Sequence, residues 1–446
     1  MSEPPPPRGG GSAVGAEWGT ALARGGLAFA IMALLGQAAA LAVYVVERRY
    51  LSGATAARLG WFYFGWFHHV SVTASLRSST LETAGAPVRL SAHLGIALMT
   101  MTLLAGFLLF RAGRAVAERA GGGILARTLH GAKVAPAYAV PSFVLSLLVT
   151  GRLRVPALEH LGGYVQVRSS PLEALVFPLL IAAVAGAAGG YFSGMAGIAH
   201  PETEPRWHRQ LAGALVGGVR MFALGLVLSF AGLLVLAVAE PDATKAYFDT
   251  VTRGSSAETT VLIGHHVLLL PNQSMWVLVP AMGGCDDFWR SGRSSAFLCY
   301  WKFPKSVNVS ADLLSGIHAT TPFGTAPPGY LLFLLVPLLS VLGGGRAAAE
   351  RSGARASGEA ITVGAAAGGV FAILVAGAAL LSSLSIGLSA DYRELSGGGT
   401  VRVGPAAVTG GLLALAWGIA GGAAGAWWRA RRSARVSEAA PTVVTR

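Results

Sequence analysis

The sequence predicts an all-α integral membrane protein: eight transmembrane helices in two parallel four-helix repeats, each repeat with a short re-entrant hairpin on its outer side. Three observations lead there. Of the 446 residues, 53% are hydrophobic and only 12% are charged, whereas soluble domains carry about 25% charge. The arginines stand in short clusters at the ends of long apolar runs, as membrane proteins distribute them. Several short motifs also occur twice in the same order. The 60 glycines suit helices that pack backbone to backbone in a bilayer. A net charge of +13 could serve nucleic-acid binding, but its placement at the flanks of apolar runs argues against that class. The two cysteines, Cys285 and Cys299, are too few for a disulfide scaffold or a cysteine-rich zinc module.

In chain order, residues 1–20 open with MSEPPPPRGGG, a Pro/Gly-rich stretch expected to be a disordered lead-in. The apolar run 25–46 exceeds a signal-peptide core of about 7–15 residues, which predicts a retained helix. The aromatic stretch GWFYFGWFHHVSV, from Gly60 to Val72, is too short to span. Further helices are predicted at 91–110, 134–150, 171–196, 211–239, 328–342, 361–389 and 406–428. These group into a first membrane repeat, 21–196, and a second, 211–428, with an outer insertion at 285–327 and a basic disordered tail at 429–446.

Lys/Arg bias sets the orientation. The connection 111–133 holds Arg111, Arg114, Arg119, Arg127 and Lys133 against Glu118, and the tail holds Arg429, Arg431, Arg432 and Arg435; both are expected in the cytoplasm, with both chain termini. Loop 240–260 has Glu240, Asp242, Asp249 and Glu258 against Lys245 and Arg253, which suits the outside. The basic loops 47–90 and 151–170 run against the bias on this assignment.

The stretch VLIGHHVLLLPNQSMWVLVPAMGG, from Val261 to Gly284, is long enough for one crossing of about 20 residues. It nonetheless holds Pro271, Asn272 and the pair His265–His266, which interrupt or burden a lipid-facing helix. A single kinked span and a re-entrant hairpin compete. Both flanks fall outside by the charge argument, which favours the hairpin.

The repeated motifs extend this plan. GRAVAER, with Gly113, Arg114, Glu118 and Arg119, recurs as GRAAAER, with Gly345, Arg346, Glu350 and Arg351. FHHVSV around His68–His69 answers GHHVLLL around His265–His266, and AGAAGGYF ending at Phe192 answers GGAAGAWW ending at Trp428. The separations are 197 residues from 68 to 265 and 232 from 113 to 345, the difference falling in the segment after Gly284. Each repeat then reads helix, hairpin, three helices. An even number of spans gives the halves one orientation, as in parallel repeats about an axis along the membrane normal.

The combination of Leu270, Pro271, Asn272 and Trp276 after an apolar run, RAGR at Arg111–Arg114 after an early helix, and the aromatic-His-Val-Ser stretch Trp66–Ser71 resembles an actinobacterial family. That family comprises very hydrophobic multi-pass membrane proteins, PerM-like or streptophobe-like. The resemblance implies an eight-span plasma-membrane protein that acts in envelope integrity or cell division through protein partners. The sequence departs from it after Gly284, where CDDFWRSGRSSAFLCYWKFPKSVNVS stands in place of a glycine-rich apolar run.

Four constellations carry alternative readings. His68, His69, His265 and His266 could supply imidazoles to Zn or Cu, but adjacent histidines are not a usual chelating pair; structural or interfacial histidine is the preferred role, and no metal or cofactor is expected. Asn272 either stabilises backbone at a hairpin tip or touches a substrate, and Trp276 is a packing or interface anchor. Arg220 either snorkels to headgroups from the start of its helix, as favoured, or marks a deeper site. Cys285 and Cys299, outside the membrane on the hairpin reading, are expected to pair, since oxidising compartments sustain disulfides.

No acidic residue falls centrally in a predicted span, against a carboxylate relay, and no phosphate loop, HExxH or serine elbow is present. The sequence therefore predicts a non-enzymatic polytopic plasma-membrane protein, a scaffold that binds membrane or envelope proteins within the lipid bilayer. A transporter or flippase with a path between the repeats is the alternative. An outer-face enzyme built on Asp286 and Asp287 is the weakest reading.

Overall fold

A computed structural model describes residues 13–48, 52–78, 88–154, 163–196, 205–252, 256–290, 293–299, 330–354, 356–392 and 395–439. Among them, eight helices are long and apolar enough to cross a membrane: Glu17–Val46, Met99–Ala120, Ile124–Leu148, Pro171–Ser193, Arg206–Ala239, Leu332–Ser352, Ser357–Leu381 and Ala407–Ser433. Their outward faces carry large apolar side chains, such as Leu34 (70% exposed) and Ile373 (74%), which lipid rather than water accommodates. This is a membrane protein by length, composition and surface.

The chain divides into two compact units, Met1–Pro201 with Ile386–Gly399, and Glu202–Ser385 with Thr400–Arg446. The first unit contains α1 (Ala13–Glu47), α2 (Gly53–Trp66), β1 (Val72–Ser78), β2 (Val88–Gly95), α3 (Met99–Ala120), α4 (Ile124–Ala132), α5 (Val134–Leu148), β3 (Thr150–Arg154), β4 (Gly163–Ser169) and α6 (Pro171–Ala196). Helices α4 and α5 meet at Lys133 and together make one span. Helix α2 runs back along α1: Gln37 Nε2 donates to Ala57 O at 3.1 Å, Gly36 abuts Gly60, and the Phe29 and Phe64 rings lie 5.2 Å apart.

Strands β3, β4, β1 and β2 pair in that order, all antiparallel, with Val72 opposite Ser169 and Ala74 opposite Val167. Val72 and Val167 bury one face of this sheet against Phe62 of α2, with Ala74 and Val165 beside them. The intervening positions are Thr73, Gln166 and Arg168, the polar alternation of a sheet with one wet face.

The segment 202–446 follows a similar order of long helix, short helices, hairpin, two long helices, hairpin, long helix, with Ile386–Gly399 of its second hairpin counted in the first unit. Its elements are α7 (Arg206–Ala239), α8 (Pro241–Thr252), α9 (Ser256–Leu268), α10 (Leu270–Ala281), β5 (Cys285–Arg290), β6 (Arg293–Cys299), a 3-10 turn (Tyr330–Leu334), α11 (Leu335–Ser352), α12 (Ser357–Leu381), β7 (Leu384–Tyr392), β8 (Leu395–Pro405) and α13 (Ala407–Ala439). Strand β5 pairs with β6 and with the end of β8, Asp286 facing Pro405 and Trp289 facing Arg402.

Several expectations are corrected here. The fold is not purely α: among the described residues, eight strands occupy stretches expected to be loop or helix. Residues 88–95 alternate polar and apolar and pair with β1, so the predicted helix at 91–110 starts only at Met99. The predicted helix at 361–389 stops at Leu381 for the same reason. Both GRAxAER motifs lie inside helices, since their alanines continue the buried stripe. The lead-in is helical from Ala13 and the basic tail as far as Ala439, both rich in alanine, a strong helix former. Helix α7 begins fourteen residues before Arg220, so Arg220 is not at a helix start. It stands nineteen residues before the end of α7, about one bilayer span, which still suits a headgroup-level arginine. Residues 1–12, 300–327 of the outer insertion, and 440–446 lie outside the described residues.

Candidate functional site

Of the side chains singled out in the sequence, His68, His69, Trp276, Cys285 and Cys299 stand at two junctions where a short helix hands over to a strand. In the first unit α2 ends at Trp66, and Gly65 O accepts from His68 N at 2.8 Å and from Val70 N at 3.0 Å. The turn requires His69 at φ 66°, the one non-glycine positive φ among the described residues; His tolerates that region better than most side chains. His68 is fully buried. Its Nδ1 lies 2.7 Å from Phe64 O and its Nε2 lies 2.5 Å from Tyr138 Oη. A carbonyl can only accept, so Nδ1 carries the proton, Nε2 accepts, and the tyrosine hydroxyl donates. Both ring nitrogens are therefore committed to the fold.

Just beyond, Ser71 donates to Glu173 Oε2 from both N and Oγ at 2.6 Å, and Ser170 N donates to Ser71 O at 3.1 Å. Glu173 is in the first turn of α6, where the helix dipole favours an anion. Thr102 Oγ1 donates to Phe67 O at 2.6 Å, fixing α3 to the same turn.

The second junction has the same backbone pattern with different side chains. Helix α10 ends at Ala281, and Val279 O accepts from Met282 N at 3.2 Å and from Gly284 N at 3.0 Å. Gly283 takes the positive φ of 96°. Ala406 N donates to Cys285 O at 3.1 Å, as Ser170 N does to Ser71 O. Trp276 Nε1 donates to Ser382 O and Trp417 Nε1 to Met282 O, each at 3.1 Å. Cys285 and Cys299 face each other in register across β5 and β6, Cα atoms 4.2 Å apart and sulfurs bonded.

Asp286 is fully buried between β6 and β8, and neither carboxylate oxygen has a hydrogen-bond partner among the described residues. Burial, and then the neighbouring charge of Asp287, push its carboxyl well above the ordinary range. Burial also raises Asp287.

Pro271 and Asn272 are buried but do not form a tip. Leu269 N donates to His265 O and Gln273 N to Leu269 O, both at 2.9 Å, so α9 and α10 join as one kinked helix. Pro271 stands in the first turn of α10, where its missing N–H costs little. His265 and His266 lie inside α9 rather than at a turn. Nδ1 of His265 is 2.9 Å from Val261 O, and Nδ1 of His266 meets Nε2 of Gln273. The positions matching His68–His69 by backbone geometry are thus Met282–Gly283, and the sequence pairing with His265–His266 joins residues in different elements. The signal missed was the turn itself: a short aromatic helix followed by a residue tolerant of positive φ.

The GRAxAER motifs make matching contacts. A Cβ on Gly113 of α3 would lie 2.3 Å from Gly186 O of α6, and one on Gly345 of α11 would lie 2.1 Å from Gly422 O of α13. Gly131 and Gly364 press on the same two carbonyls, at 2.2 and 2.3 Å. Arg114 pairs with Glu118 at 2.7 Å, Arg346 with Glu350 at 2.9 Å, and Arg429 adds a second bond to Glu350 at 3.0 Å. Arg119 donates to Thr20 at 2.8 Å, whereas Arg351 is exposed.

One cavity of about 700 Å³ opens between α1 and α3, rimmed by Arg24, Arg111, Arg114 and Glu118. RAGR and GRAVAER hold Arg111, Arg114 and Glu118 of this rim, but the cavity itself was not legible, because Arg24 comes from a separate apolar run.

No family model, no curated protein and no solved structure matches the chain.

Proposed function

We propose that the chain is a non-enzymatic, polytopic plasma-membrane protein, built from two copies of one plan, that acts as a scaffold for membrane or envelope protein partners. The observation that carries this reading is a seam of glycine on backbone that joins three helices in each unit. Gly113, Gly131 and Gly186 in one unit, and Gly345, Gly364 and Gly422 in the other, bring helices so close that no width is left between them for a substrate path. His68, with both nitrogens used and no solvent contact, is a structural group rather than a proton donor. The common element order and matching turns support a duplication. The antiparallel course of α2 along α1 supports a short helix that dips and leaves as a strand, in place of a helical hairpin. The Lys/Arg bias supports cytoplasmic termini and strands on the outer face, where Trp289, 38% exposed, would meet a partner. The resemblance to PerM-like proteins supports a role in envelope integrity or division. The transporter or flippase reading draws on the open cavity between α1 and α3.

Cysteine-free full-length protein carrying Asp249→Cys or Trp289→Cys tests the topology. Both positions react with an impermeant thiol reagent in intact cells on this proposal; labelling of one only after lysis overturns the dip in the second unit. A photo-crosslinker at Trp289 is expected to give a discrete protein adduct in native membranes, and one at lipid-facing Leu234 none. Lipid scrambling by the purified protein in liposomes, without any such adduct, would favour the flippase.

A further inference from the structure

We propose that the cavity between α1 and α3 binds the phosphate headgroup of an anionic phospholipid, with an acyl chain along its apolar wall. The two units differ sharply at this place. In the second, the corresponding pair α7 and α11 is closed by small residues. A Cβ on Gly217 would lie 2.6 Å from Ala348 Cβ, and one on Gly344 would lie 2.6 Å from Gly217 O. In the first unit no such seam runs between α1 and α3, and a cavity of about 700 Å³ remains. That is room for a headgroup and the start of a chain, within the ordinary range of about 300–1,000 Å³ for small-molecule sites.

Its rim holds three guanidinium groups against one carboxylate. Arg114 spends Nε on Glu118, which leaves its terminal nitrogens free to turn to a ligand. Arg24 and Arg111 have no hydrogen bond or ion pair among the described residues; Arg111 only lies over the Phe107 ring, 5.9 Å from its centroid. In unit two the position of Arg111 is Gly343, 232 residues on as Gly345 is from Gly113. Arg114 and Glu118 have counterparts in Arg346 and Glu350, but the charge of Arg111 accompanies the cavity and is absent where the seam is closed.

Guanidinium forks match phosphate oxygens two at a time, and basic pockets between membrane helices are a recurrent headgroup site. The walls below the rim, Leu27, Ile31, Phe107 and Leu108, are apolar. Both α1 and α3 have the length and composition of membrane spans, so a ligand can enter sideways from the bilayer. A free phosphate would use the rim and leave the wall empty. A lipid uses both, which is why the lipid is the ligand proposed.

Native mass spectrometry of the full-length protein in mild detergent tests this, with phosphatidylglycerol and phosphatidylcholine offered in equal amounts. Phosphatidylglycerol adducts are expected to dominate, and to fall about a hundredfold or more in the double variant Arg24→Gln, Arg111→Gln, as loss of two charge-assisted contacts implies. Arg431→Gln, on α13, is expected to leave them unchanged. Ile31→Trp fills the wall without touching the charge and should also reduce them, so a failure of the double variant to fold does not remove the test. Equal retention of the two lipids, or adducts undiminished in both the double variant and Ile31→Trp, overturns the proposal. So does displacement of phosphatidylglycerol by inorganic phosphate at equal concentration, which would make the site one for a free anion.

Discussion

The two helix-to-strand junctions hold one backbone shape with opposite chemistry. In each, a carbonyl four residues before the positive-φ position, Gly65 O or Val279 O, accepts two N–H groups, and the chain leaves as a strand. In the first unit the shape is locked by hydrogen bonds, through His68 to Tyr138 and Ser71 to Glu173. In the second the residue in the place of His68 is Met282, and that in the place of Ser71 is Cys285, bonded to Cys299. Phe371, 233 residues after Tyr138 as Gly364 is after Gly131, is buried like its counterpart but has no hydroxyl. The turn is thus set by backbone demands, and different side-chain solutions are compatible with it. What distinguishes the units is where buried polarity was left.

The largest expected effect tests whether the units are built alike at all. A Cβ on Gly186 would lie 2.5 Å from Gly131 O, and one on Gly422 would lie 2.4 Å from Gly364 O; neither backbone atom can swing away. Gly186→Ala and Gly422→Ala are each expected to cost about 3 kcal/mol, the upper part of the overpacking range. Thermal unfolding in detergent reads this, with Gly106→Ala as control, since nothing stands within 4 Å of a Cβ there. A large loss in one unit and none in the other would break the equivalence.

The second effect sharpens the contrast in buried polarity. Asp286 occupies the place of Val72, 214 residues on as Val279 is from Gly65. Its buried carboxyl is raised above the ordinary aspartate value of 3.8, so over that interval the folded state holds a proton the unfolded state has released. Stability must then fall as pH rises from near 3.8 through the folded-state value, by at most about 1.4 kcal/mol per pH unit for one proton. Asp286→Val should remove most of that slope, leaving the smaller contribution of Asp287, which has the same sign. A pH dependence unchanged in the variant would show that the carboxyl finds a partner in solution.

Much of this fold was legible in the chain because bilayer helices announce themselves locally. The run 171–196 coincides with α6, and the GRAxAER pair marked two helices that touch matching glycines. The strands were not read, although YVQVR in β4 and TVRVG in β8 alternate with period two. Their pairing is non-local: β1 meets β4 across some ninety residues, and between long apolar runs such short stretches resemble loops. The histidines misled for a related reason. His68–His69 and His265–His266 match as letters, but the turn needs a residue that tolerates positive φ, and in the second unit that is Gly283. Tyr138 lay unnoticed in an apolar run because its partner is seventy residues away.

The smallest expected effect concerns that pair, and it asks whether the polar lock can be exchanged for the apolar one. Tyr138→Phe removes the only donor to His68 Nε2 among the described residues, leaving a buried acceptor unpaired at a cost of about 1–3 kcal/mol. His68→Met alone strands the tyrosine hydroxyl instead, and should cost a similar amount. The double variant installs the residue types found at Met282 and Phe371, with no orphaned group on either side. It also gives up the bond from His68 Nδ1 to Phe64 O; the equivalent oxygen of the second junction, Leu278 O, accepts from Met282 N at 3.1 Å, and the double variant is expected to adopt the same bond. The double variant is therefore expected to lie within about 1 kcal/mol of the parent, well above the sum of the singles, because residues that share a hydrogen bond couple rather than add. Thermal unfolding of the four proteins in one detergent gives the cycle. If the double variant loses as much as both singles together, His68 and Tyr138 are held by packing alone, and the hydrogen bond is not what distinguishes the first junction from the second.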